Sequence, residues 1–186
     1  MDKIRQIIKN EYKKEVDIGV DIASSSFYKN RAYDYKSPDV DLNRKNQILY
    51  IKKLINRYRL FYVEDPLNEN DFSGFKELMG KGCLIVGDDL TATNPERLKK
   101  AIRAKSINAV IVKPNQIGSL LKVKEVIDIA KKNKIKTIIS HRSGETKDDT
   151  IADLAVAWDC DFIKTGICGK VRKAKLKRLV MIENTP

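Results

Sequence analysis

Cysteine is scarce in this chain, and histidine scarcer still. The three cysteines, Cys83, Cys160 and Cys168, form an odd set without metal-ligand or redox spacing. Neither a disulfide framework nor a zinc or dithiol centre is expected from them, and they read as buried thiols of a reducing cytoplasm. No run of about 18 apolar residues occurs, which argues against a membrane span. The opening MDKIRQIIKNEYKK mixes charges too freely for a secretory signal. No low-complexity linker interrupts the 186 residues, so 1–186 reads as a single domain large enough to bury a core. Negative charge is also in short supply: 37 Lys and Arg against 25 Asp and Glu give a net charge of +12. Such a surface attracts anions. The densest basic run is Lys170, Arg172, Lys173, Lys175, Lys177 and Arg178. It has no interleaved aromatics and matches no nucleic-acid module, so it reads as the solvated face of a last helix.

What the chain does have is alternation. Apolar strand patterns at 16–22, 60–64, 83–87, 109–113, 136–140 and 161–164 alternate with helical patterns at 43–58, 71–80, 95–104, 119–132, 148–158 and 170–181. A further helix is expected over 1–14, and a polar loop over 24–42. Asn94 is placed to cap the helix that Pro95 opens. The strands VIV and TIIS are continuous apolar runs, as expected of strands buried on both faces. Strand and helix in strict turn predict an α/β fold with a parallel sheet. Six such units make an incomplete (β/α) barrel, since closure takes eight.

Each strand ends on a polar residue with chemistry to offer. They are Asp21 in GVDIA, Glu64 in YVEDP, Asp88 in VGDDL, Lys113 in VKPNQ, His141 in ISHRSGE and Lys164 in IKTG. From Glu64 to Lys164 the intervals are 24, 25, 28 and 23 residues, each about one strand, one helix and two loops. In barrels of this kind the carboxyl ends of the strands carry the active site. Three carboxylates are hard oxygen donors and suit Mg²⁺. A lysine beside other cations is pushed toward its neutral amine, which can take a proton. Arg142 offers a forked donor for phosphate and Ser143 a hydroxyl.

Taken together, GVDIASSSFY, VEDP, VGDDLTATNPERL, VKPNQIGSL, SHRSGET and IKTG resemble the carboxyl-terminal barrel of enolase, phosphopyruvate hydratase, over about residues 16–166. The resemblance implies an enolase-type TIM barrel that is partial: the lid domain and first barrel strands of the family have no counterpart in 1–186. It implies Mg²⁺ at Asp21, Glu64 and Asp88, with Asp89 in support. It implies Lys113 as the base that takes the C2 proton of 2-phosphoglycerate, and Lys164 at the substrate carboxylate. Arg142 and Ser143 match the phosphoryl ligands, and His141 lies near the leaving hydroxyl. The implied activity is the glycolytic dehydration of 2-phosphoglycerate to phosphoenolpyruvate by a cytoplasmic lyase.

The pattern also departs from the family. No residue matches the glutamate pair that handles the departing hydroxyl, Ser26 stands where the family has glutamate, and GICGKVRKAK replaces an Ala-Pro and Ser-Glu-Arg tail. Full activity is therefore expected to need a complementary enolase half. Open sheet edges would be covered by that half or by a homo-oligomer. The alternative is a noncatalytic protein that binds Mg²⁺ and a phosphoester.

Overall fold

The computed structural model describes residues 1–37, 39–80 and 82–185. Its contacts divide the chain into two units, Met1–Leu90 with Arg103–Asn108, and Thr91–Ile102 with Ala109–Pro186.

The first unit opens with α1 (Asp2–Tyr12) and β1 (Gly19–Asp21). Strand β1 pairs in parallel with β5 (Tyr62–Glu64), and β5 with β6 (Leu84–Gly87). Between β1 and β5, a 3₁₀ turn (Ser24–Phe27) leads into an antiparallel meander of β2 (Tyr28–Lys29), β3 (Ala32–Lys36) and β4 (Asp39–Asn43), followed by α2 (Arg44–Tyr58). The expected polar loop over 24–42 is thus mostly sheet. The reason lies in its aromatics: Phe27 packs on Tyr33 and Tyr35, Tyr28 on Tyr33, and Tyr35 on Tyr50 of α2. Aromatic pairs of this kind stabilise strand pairing that charge-rich residues alone would not. Asn43 caps α2, its side chain accepting from Asn46 N at 3.0 Å. Helix α3 (Phe72–Leu78) is capped by Asp71 in the same way, at 2.8 Å from Gly74 N.

The second unit contains α4 (Pro95–Ala104) as far as Ile102, then β7 (Ala109–Val112), a single turn α5 (Pro114–Ile117), α6 (Leu120–Lys132), β8 (Lys136–Ser140), α7 (Thr150–Ala157), β9 (Phe162–Lys164) and α8 (Lys170–Glu183). Strands β7, β8 and β9 are parallel neighbours. Asn94 accepts from Glu96 N and Arg97 N at 2.8 and 3.1 Å, the N-cap expected from the sequence. All four residues of β7 and the last four of β8 are buried, which explains their unbroken apolar character. Each unit thus carries three parallel strands in chain order, the α/β alternation that the sequence predicts. Among the described residues no helix is long and apolar enough to cross a membrane.

Two sequence expectations need correction. Of the cysteines, only Cys83 is buried; Cys160 is half-buried and Cys168 exposed, because Cys168 lies on the loop that leads into α8. The basic run is not simply a solvated face. Lys170, Lys173 and Lys177 are exposed, but Lys175 is fully buried, and Arg178 pairs with Asp153 of α7 at 2.6 Å.

Candidate functional site

In the first unit the three expected metal ligands stand at the ends of parallel strands. Asp21 and Glu64 are the last residues of β1 and β5 and are register partners; Asp88 directly follows β6. Asp21 is exposed, whereas Glu64 and Asp88 are buried. Tyr62 lies two residues before Glu64 on the same strand face. Its ring packs over Gly19, the glycine of β1 that leaves room for it, and its hydroxyl bonds to Glu64 Oε2. Burial drives the Tyr62 hydroxyl far above its ordinary pKa, and Glu64, Asp21 and Asp88 push the same way. All three carboxylates therefore act on one point.

Asp65 adds a feature that the sequence reading did not single out. It occupies a left-handed backbone conformation (φ 40°), uncommon for a residue with a side chain. Its carboxylate accepts from Asp88 N at 3.0 Å and from Asp89 N at 2.7 Å, so it braces the turn that presents Asp88. Burial raises its pKa to about 8, against the opposing pull of those two N–H donors. The oxygens of Asp65, Asp88 and Asp89 lie within 4.8 Å of one another; of the expected ligand set, only Asp88 belongs to this group. Asp65 is occupied with backbone donors, whereas Asp21, Glu64 and Asp88 offer hard carboxylate oxygens, the ligand chemistry that Mg²⁺ takes.

The 3₁₀ turn and the meander also hold the loop that follows β5. Ser24 N donates to Asp65 O (3.1 Å), Ser25 Oγ accepts from Glu69 N (2.9 Å), and Tyr33 Oη accepts from Asn68 N (3.0 Å). Ser26 spends its hydroxyl on Ala23 O at 2.7 Å.

In the second unit Lys113 directly follows β7, His141 follows β8, and Lys164 ends β9. Thr93, in a left-handed stretch with Ala92 (φ 51° and 48°), accepts from Lys113 N at 3.0 Å and donates to Gln116 at 2.7 Å. That pair of bonds fixes the start of the lysine's loop. His141 N donates to Lys164 O at 3.1 Å, which brings the expected histidine and second lysine side by side. Burial, and then the guanidinium of Arg172 on α8, hold the imidazole below its ordinary pKa. Arg172 Nη1 lies 2.8 Å from His141 Nε2 and also touches Nδ1. Gly166 makes this approach possible: its φ is +70°, and a Cβ there would sit 2.6 Å from Arg172 Cδ. Arg142 and Ser143 are exposed on the following turn. A cavity of about 460 Å³ opens beside them, lined by Ser140, His141, Glu145 and Thr146 together with Asn115 and Ile151.

Sequence reasoning thus located every strand-end residue but missed Tyr62, Asp65, Thr93 and Arg172. Only Asp65, adjacent to Glu64 in VEDP, carried a signal that could have been read.

A family model described as the enolase C-terminal TIM barrel domain matches residues 1–185. The enolase of Methanosphaera stadtmanae is 51% identical over 170 residues, covering 89% of this chain and 41% of that protein. The enolase of Picrophilus torridus is 49% identical over 179 residues, 95% of this chain and 44% of its own length. That of Sulfurisphaera tokodaii is 47% identical over 188 residues, 99% and 45% respectively. The chain spans a little under half the length of these relatives. With strand-end carboxylates in one unit and strand-end lysines and histidine in the other, and with a family match over nearly its whole length, the chain belongs to the enolase family through its C-terminal TIM barrel domain.

Proposed function

We propose that the chain performs the barrel's part in the Mg²⁺-dependent dehydration of 2-phosphoglycerate to phosphoenolpyruvate, and that a complementary enolase half supplies the remainder. The observation that carries this reading is the placement of Asp21, Glu64, Asp88, Lys113, His141 and Lys164, each at the carboxyl end of its own parallel strand, within a match to the family's barrel. Lys113 Nζ takes the C2 proton. Lys164 holds the substrate carboxylate by charge. Arg142 and Ser143 bind the phosphoryl group through forked and hydroxyl donors, and His141 lies at the departing hydroxyl. Mg²⁺, held by Asp21, Glu64 and Asp88, would neutralise charge on the carboxylate, as is general for enolase-superfamily sites. Proton abstraction needs the base and a bound carboxylate; expelling hydroxide needs a general acid as well.

The test is exchange of the C2 hydrogen of 2-phosphoglycerate in deuterated water with Mg²⁺. Exchange should run faster than phosphoenolpyruvate forms. Lys113→Ala should abolish it, and Lys170→Ala, on the exposed start of α8, should leave it intact. Binding of 2-phosphoglycerate without exchange above the Lys113→Ala background would replace this reading with that of a noncatalytic binder.

A further inference from the structure

Lys175 is 0% exposed. Burying an ammonium ion costs several kcal/mol unless it is paired and hydrogen-bonded, so its surroundings must serve it well. They do. Its Nζ donates to Thr146 O at 2.6 Å and to Val171 O at 3.3 Å, and it pairs with Glu145 Oε2 at 2.7 Å. The other oxygen of Glu145 accepts from Arg142 N at 3.0 Å. One carboxylate therefore closes the turn 142–145 on one side and holds a helix cation on the other. Burial raises the Glu145 pKa, but the bonds from Lys175 and Arg142 N outweigh it and hold the carboxyl below its ordinary value. The segment between Ser140 and Thr150 has no helix or strand of its own, so its shape depends on contacts such as these. Two further bonds are local, Asp148 N to Thr146 Oγ1 at 3.2 Å and Thr150 N to Asp148 Oδ1 at 3.0 Å. Neither reaches the residues at the tip, Arg142 and Ser143.

We infer that Lys175 is a positioning residue: through Glu145 and Thr146 it sets the turn that carries Arg142 and Ser143, and so governs phosphoryl affinity without touching the ligand. Only the ligand part of this claim rests on the reading of Arg142 and Ser143 proposed above. A charge in α8 thereby becomes part of the substrate loop's frame, although the helix follows the loop by some 25 residues of sequence.

Hydrogen–deuterium exchange on the full chain tests the positioning directly. Amides 141–146 should exchange about tenfold faster or more in Glu145→Gln and in Lys175→Met. The double variant should add little to the worse single, because all three remove the same link. Amides in the middle of α8 should keep their protection in Glu145→Gln. In the same variant, calorimetric titration with 2-phosphoglycerate and Mg²⁺ should show affinity weakened about tenfold or more, since small misplacements at a site are costly. Wild-type exchange at 141–146 in both Glu145→Gln and the double variant would overturn the inference. If Lys175→Met fails to fold, those two proteins still decide the matter, because neither leaves an ammonium-sized hole with a bare carboxylate beside it. Failure of the wild type to bind 2-phosphoglycerate would sink the phosphoryl reading, while the exchange data would still decide the positioning claim.

Discussion

Replacing Gly19 by alanine should destabilise the chain measurably, by way of Tyr62. A Cβ on Gly19 would lie 2.8 Å from Tyr62 Cβ, 3.0 Å from Cδ1 and 3.1 Å from Cγ. Carbon atoms prefer about 3.5–4.0 Å, and these three belong to the root of the side chain, which cannot swing away. Strand β1 must therefore move off β5, or the ring must leave its seat. Overpacking of this kind costs about 1–3 kcal/mol. Alanine returns about 0.4–1 kcal/mol by restricting the unfolded chain, which leaves a net loss of roughly 1–2 kcal/mol. For a chain of this size 1 kcal/mol is worth about 2–4 °C, so the Tm should fall by about 2–8 °C. Scanning calorimetry reads this, with Gly80→Ala as the control, because a Cβ at Gly80 meets nothing within 4 Å. A Tm for Gly19→Ala equal to or above wild type would show that Tyr62 is not seated on β1 as described, and the argument linking that seat to Glu64 would go with it.

Three other outcomes are expected. In magnesium calorimetry, Glu64→Gln and Asp88→Asn should each weaken binding strongly, and Tyr62→Phe, which removes the phenol donor to Glu64, should weaken it by about 10–100-fold; unchanged affinity in both carboxylate variants would refute the ligand set. Because the Glu145 carboxyl sits lower in the folded chain than in the unfolded one, the Glu145–Lys175 pair contributes its full stability above a pH of about 4.3 and loses it as pH falls through the lower folded value. The Tm gap between wild type and Glu145→Gln should therefore be constant near neutrality and close under acid conditions. With a thiol reagent, exposed Cys168 should react first, whereas Cys83, its pKa raised to about 11 by burial, should wait for unfolding.

How much of this could be read from the sequence depends on whether the signal was local. The alternation of buried strands with amphipathic helices is local, and so are the Asn94 cap and the reactive residue at each strand end. The meander was not legible as sheet, because Ala32–Lys36 is a short alternation set among turn residues and its stabilising aromatics come from three separate places in the chain. Thr93 and Lys175 were illegible for another reason. Each acts by meeting backbone groups of a distant segment, as Lys175 does with Thr146 O, and nothing in residue type or spacing marks such a meeting. In composition the basic tail reads as solvated charge, whereas in the fold one of its six basic residues, Lys175, is fully buried.

The division of the chain into two units also sorts its chromophores. All seven tyrosines lie within 1–90, four of them in the meander or on the helix face packed against it, while the single tryptophan, Trp158, ends α7 in the other unit. Fluorescence excited at the red edge, where only indole absorbs, reports the second unit alone, and near-ultraviolet tyrosine dichroism reports mainly the first. One melt recorded both ways would need no label. Superimposable curves would mean that the halves unfold as a single cooperative body, and separated curves would give each its own stability.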